Sequence, residues 1–138
     1  MTDDYIDRYR VASEAADIDA MMATVSDDIE LVSPISGRMV FRGRDDVRHL
    51  LRAVYVSTIR DLRWTDAIGD GDTRVLFGTT RIGPIHMTDS MVFELAPDGR
   101  IRRIWPHLRP WLALTVFAAV LGPKVARRPG SVRRALRG

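Results

Sequence analysis

The chain has no cysteine in 138 residues, which excludes disulfides, thiolate catalysis and cysteine-ligated zinc. Histidine is also scarce. His49, His86 and His107 lie scattered without a recognised metal spacing, so no metal and no cofactor is expected. The N-terminus shows no basic stretch followed by an apolar one, and the cytoplasm is the expected compartment. Acid is missing from one region only. Residues 100–138 hold 10 Lys/Arg and no Asp or Glu, whereas residues 1–99 hold 11 Lys/Arg against 18 Asp/Glu. The formal charge of +3 therefore conceals a segment of −7 followed by one of +10.

The hydrophobic content of 46% is enough for one self-sufficient core. Thr2 or Asp3 is predicted to cap a helix reaching about Ala16, with Ile6, Tyr9, Ser13 and Ala16 at helical spacing. Asp17 is predicted to cap a shorter helix whose apolar stripe is Ile18, Met21, Met22 and Val25, ended by Ser26, Asp27 and Asp28. Strands follow over Ile29–Ser33 and Met39–Arg42, separated by Pro34 and Gly37. From Gly43 the period changes: Asp45 and Asp46 suit a first helical turn, and Val47, Leu50, Leu51, Val54 and Tyr55 recur as one face. Four further strands are predicted near Leu62–Ile68, Arg74–Ile82, Ile85–Leu95 and Arg100–Trp105, punctuated by turn residues. Helices first and strands after imply an α+β domain, with the helices laid over one face of a curved, mainly antiparallel sheet.

Asp89 is the residue that points to chemistry. Ile85, Met87, Asp89, Met91, Phe93 and Leu95 share one face of their strand, and Asp89 is its one polar member. A carboxylate among Met and Phe side chains loses hydration, which favours its neutral form and makes it a hydrogen-bond donor or a proton handler. A hairpin pairing Ile82 with Ile85 sets Gly78 opposite Asp89 and leaves room for a pocket in front of the carboxyl. Structural roles stay open for it and for Tyr9, whose hydroxyl could be tied to a core neighbour.

Asp7-Arg8-Tyr9, the run from Ala16-Asp17-Ile18-Asp19 through Asp27-Asp28-Ile29-Glu30-Leu31, Phe41-Arg42-Gly43 through Val47, and Asp98-Gly99-Arg100-Ile101 together resemble the SnoaL-like, ketosteroid-isomerase-like superfamily. The resemblance covers roughly residues 3–108 and implies the cone-shaped fold of nuclear transport factor two. It also implies an isomerase, cyclase or dehydratase type of activity on a hydrophobic small molecule, and a homodimer formed through the outer sheet face. Tyr9 matches the family's oxyanion tyrosine and Asp89 the protonated acid beside it. Ser33, before Pro34, stands where the steroid isomerases carry their aspartate base, and a neutral serine cannot take a carbon-bound proton unaided. Against the limonene epoxide hydrolases, Met87 replaces the arginine and Pro106 the second acid. His107 is a candidate replacement base if a bulge near Pro106 turns it inward. Leu51, Val54, Met87, Met91, Phe93 and Ile104, with Ser33, are expected to line the substrate site. A non-catalytic ligand-binding or assembly module is the alternative.

Residues 109–138 extend beyond the cone. Trp111–Leu121 is apolar apart from Thr115, and as a helix of roughly 16 Å it is too short to span the ~30 Å hydrocarbon layer. Six basic residues follow. Two readings are open: a helix that closes the cone or meets a dimer partner, trailed by a solvated basic end, or an interfacial anchor of residues 111–137 on anionic membrane. Nucleic acid is not expected, since no reader motif or interleaved aromatics accompany the charge.

Overall fold

Asp4 accepts a hydrogen bond from the Asp7 N–H at 2.9 Å and starts α1 (Tyr5–Glu14). The computed structural model describes residues 4–137, so Thr2 and Asp3, expected as caps, lie outside the described residues. Ile6, Tyr9 and Ser13 face inward as their spacing requires. Ala16 is outside the helix: its φ of +54° is the left-handed conformation that ends α1. Asp17 caps α2 (Ile18–Met22) through the Ala20 N–H at 3.1 Å.

Val25, expected on the stripe of α2, instead opens β1 (Val25–Val32). The Thr24 hydroxyl donates to the Met21 carbonyl at 2.6 Å, and the Thr24 carbonyl accepts from the Ile101 N–H at 2.9 Å. The chain thus joins the sheet as soon as α2 stops, and Val25 reaches the core from a strand. β2 (Val40–Arg42) pairs antiparallel with β1. Gly43, with φ of +87°, makes the entry to α3 (Arg44–Leu51), which continues as a π-helical turn over Arg52–Val56. The wider turn brings both Ala53 and Tyr55 into the interior.

The remaining strands are β3 (Arg60–Ile68), β4 (Thr73–Ile82), β5 (Ile85–Leu95) and β6 (Ile101–Arg109). They form one sheet of order β2-β1-β6-β5-β4-β3, in which β1 and β6 run parallel and every other pair antiparallel. β6 runs four residues past the expected end at Trp105, straight through Pro106. Its last β1 partner is at Leu31 and Ile104, so Pro106 falls where β6 has a neighbour on the β5 side only and its missing N–H is tolerated. Alternation along β5 is as the sequence reads: Met87, Asp89, Met91 and Phe93 are buried, and their neighbours in sequence are not. The helices lie on this buried face, where Tyr9, Met21, Met22, Val47 and Leu51 meet Leu76, Phe93, Ile101 and Ile104 in one core. The result is the expected α+β arrangement with a mixed sheet.

The C-terminal segment is packed rather than trailing. α4 (Trp111–Ala126) runs past the expected end at Leu121, through Gly122 and Pro123, and buries Ala113, Phe117, Leu121 and Val125 against the sheet and the π-helical turn. The basic end is not a solvated coil. It forms α5 (Pro129–Leu136) against β2, with Ser131 and Ala135 buried. Arg134 donates twice to the Asp46 carboxylate, both at 2.8 Å, and Arg42 donates to the Arg137 carbonyl at 3.2 Å.

Candidate active site

An apolar cavity of about 250 Å³ lies between the sheet and the helices that cover it. β5 contributes Met87, Asp89 and Met91; α3 and its π-helical turn contribute Leu50, Leu51, Val54 and Tyr55; and α4 contributes Phe117, Leu121 and Val125. Of the two readings open for the C-terminal helix, closure of the cone is the one its place in this wall supports. Ser33, Tyr55, Thr80 and Asp89 are its polar side chains. Thr80 donates to the Arg60 carbonyl at 2.8 Å, and the Ser33 oxygen accepts from the Ile35 N–H at 3.1 Å, closing the turn after β1.

Asp89 is 8% exposed, and one of its carboxyl oxygens, Oδ1, has no hydrogen-bond partner among the described residues. Burial among apolar groups pushes its pKa up to about 7, against a smaller downward pull from the His107 backbone N–H. Neutral and ionised forms thus coexist near neutrality. The expected register holds, with Ile82 opposite Ile85 and Gly78 opposite Asp89. The space over Gly78, however, is not the pocket: Trp64 fills it, and a Cβ at Gly78 would stand 2.6 Å from Trp64 Cε3. The opening in front of Asp89 lies instead toward Met87, Met91, Pro106 and Leu108.

Tyr9 is fully buried, but its hydroxyl is taken by that of Tyr55 at 3.1 Å, and it is Tyr55 that reaches the cavity wall. Tyr9 stands one layer behind, its ring edge-on to Phe93 at 5.2 Å. Tyr55 also points its O–H at Met91 Sδ, 3.8 Å away, a weak acceptor. With Tyr9 donating to Tyr55, the Tyr55 proton is left for that sulfur or for a better acceptor in the cavity. Burial raises the pKa of both phenols, so both stay protonated. The sequence signal for Tyr55 was present, since it ends the stripe that carries Leu51 and Val54.

His107 does not reach the site. β5 and β6 stay in register through Pro106, their one irregularity falling near Leu95, so no bulge turns the ring inward. The imidazole is exposed on the outer face, 3.2 Å from the Ser90 carbonyl and beside Trp105. That placement removes the reason for giving it a proton-transfer role. Of the expected lining residues, Ser33, Leu51, Val54, Met87 and Met91 are on the wall, whereas Phe93 and Ile104 are packed in the core behind it. Among the described residues no three His, Asp or Glu side chains converge as metal ligands would.

Residues 6–104 match the family model for the SnoaL-like domain. The chain belongs to the SnoaL-like family. No curated protein matches it. Among solved structures, this SnoaL-like chain is similar to an uncharacterised conserved bacterial protein with a cystatin-like fold from Silicibacter pomeroyi, at 19% identity and TM-score 0.86 over 95% of this chain and 93% of that one. A steroid delta-isomerase from Pseudomonas aeruginosa matches with 21% identity and TM-score 0.76, over the same shares. A protein from Sinorhizobium meliloti proposed to be a polyketide cyclase matches with 19% identity and TM-score 0.65, over 78% of this chain and 95% of that one. At these identities the likeness is one of fold. Coverage of 95% of this chain includes most of its C-terminal segment in both of the first two likenesses.

Proposed function

We propose that the protein is a small-molecule enzyme that polarises an oxygen of a hydrophobic substrate and moves a proton within the apolar cavity, in the manner of an isomerase, cyclase or dehydratase. One observation carries this reading: Asp89 is a buried carboxyl with an unpartnered oxygen and a pKa near 7, set in the cavity wall. A general acid or base works best when its pKa is near the working pH. A structural carboxyl would instead be expected to have both oxygens satisfied.

Asp89 and Tyr55 would share the work. The Tyr55 hydroxyl exchanges its weak sulfur acceptor for the substrate oxygen, and the ionised form of Asp89 takes the proton from carbon and, once protonated, returns it. Because Ser33 cannot abstract a proton from carbon, and no other carboxylate or imidazole among the described residues lines the cavity, acid and base duties both fall to Asp89. Isomerisation is the reaction such a site serves most simply. A proton taken from one carbon and returned at another leaves the carboxyl unchanged at the end of the cycle. The neighbours named a steroid delta-isomerase and a proposed polyketide cyclase have the same fold and support this class of chemistry. The homodimer expected through the outer sheet face belongs to the same proposal, and sedimentation velocity checks it.

The test is proton exchange. In D2O, the wild type should incorporate deuterium beside the carbonyl of at least one member of a panel of hydrophobic ketones and enones. Asp89→Asn should slow that exchange by about 100-fold or more, the usual worth of a positioned acid or base. Equal rates in wild type and variant would refute the assignment.

A further inference from the structure

The outward face of α4 is apolar and bears no charge. Trp111, Leu112, Thr115, Ala119 and Pro123 are exposed there, Trp111 by 78% and Leu112 by 56%, and the Thr115 hydroxyl is spent on the Trp111 carbonyl at 2.9 Å. Lys124, the basic residue within the helix, points the other way and bonds the Ser57 carbonyl and the Thr58 hydroxyl. The opposite face of α4 covers the cavity. One helix therefore shows an uncharged surface to the outside and a hydrophobic hollow behind it.

The segments on either side of α4 are cationic. Arg109 precedes the helix, and Arg127, Arg133 and Arg137 follow; all four are exposed, and none is in an ion pair with an acid among the described residues. Arg134 is excluded, being held by Asp46. The cavity reaches solvent beside this helix. Ile35 in the turn after β1, and Gly122 and Ala126 on α4, line the hollow and also reach solvent.

We propose that the outward face of α4, with its arginine flanks, docks on an anionic lipid surface and sets the mouth of the cavity against the membrane. The occupant follows from charge and shape. An apolar face rimmed by cations suits the boundary between acyl chains and acidic headgroups. A second copy docked through the same face would press two basic segments together, since residues 100–138 contain no acid. Docking does not require spanning, and no helix among the described residues is long and apolar enough to cross a membrane. A hydrophobic substrate would then enter from the lipid phase. That last step rests on the functional reading above, whereas the docking itself does not.

The 138-residue protein is sedimented with phosphatidylcholine vesicles, with and without phosphatidylglycerol. Binding to the anionic vesicles should exceed binding to the neutral ones by at least about tenfold and fall with added salt. Arg127→Glu with Arg133→Glu should abolish that preference, and Trp111→Ser with Leu112→Ser should weaken binding about tenfold. All four positions are exposed, and circular dichroism verifies that the variants fold. Asp89→Asn should bind vesicles as the wild type does, so docking and catalysis fail separately. Equal binding to both vesicle types would overturn the proposal, as would full binding by the Trp111/Leu112 variant. Self-association that Trp111→Ser dissolves, without vesicle binding, would overturn it too.

Discussion

Replacing Asp89 with Asn tests the site without any substrate, because a shifted pKa is also a statement about stability. The unfolded chain has an ordinary carboxyl near 3.8, whereas in the folded protein burial raises it to about 7. Between these values the folded state holds a proton that the unfolded state has released, so stability falls as pH rises. Asp89 therefore contributes no penalty below about pH 3.8, an increasing one through the interval, and a constant one above about pH 7. The distance between the two values corresponds to roughly 4 kcal/mol. Asn has nearly the same shape and does not ionise. Its amide leaves buried donors short of partners, but that cost does not depend on pH. Urea unfolding of wild type and Asp89→Asn, measured from pH 4 to pH 8, should show their stability difference moving by about 4 kcal/mol in favour of the variant as pH rises. Titrations common to both proteins cancel. A difference that stays flat across this range would show that Asp89 ionises freely, and the reasoning would fail.

Gly78→Ala should lower stability by about 1–3 kcal/mol in chemical denaturation, since its Cβ would press on Trp64 at 2.6 Å and on the Arg63 carbonyl at 2.8 Å. Once an assayable substrate is found, Tyr55→Phe should reduce kcat more than Tyr9→Phe, because the Tyr55 hydroxyl borders the cavity and the Tyr9 hydroxyl only supports it. The reverse ranking would return the donor role to Tyr9. Arg134→Ala should cost about 1–3 kcal/mol by leaving the Asp46 carboxylate buried and unpaired. The Arg134 hydrogen bonds hold the Asp46 pKa below 3.8, so this contribution is present above that value and lost on acidification. The variant should show a flatter acid limb in its stability profile.

Most of the fold was legible in the residues because two periodicities dominate the chain. The alternation from Ile85 to Leu95 defined β5 at both ends and put Asp89 on the buried face, and the stripe from Val47 to Tyr55 located α3. What the sequence concealed depended on contacts between distant segments. Val25 suits the face of a helix as well as a strand, and only the Thr24–Ile101 hydrogen bond decides between them. Pro106 looked like a strand end because nothing local shows that β1 stops pairing at Ile104. The same holds for the site. Tyr9 and Tyr55 both read as inward-facing, but which hydroxyl reaches the cavity depends on the π-helical turn. The basic end resembled a solvated tail until Arg134 was placed on Asp46, 88 residues away in sequence.

The central claim is that Asp89 faces the cavity half-protonated at neutral pH. Carboxyl ¹³C NMR of the uniformly Asp-labelled protein, with the Asp89 resonance assigned by its loss in Asp89→Asn, measures this directly. A titration midpoint near 7 is the predicted result. A midpoint near 4, the range of an ordinary solvated carboxylate, would contradict it.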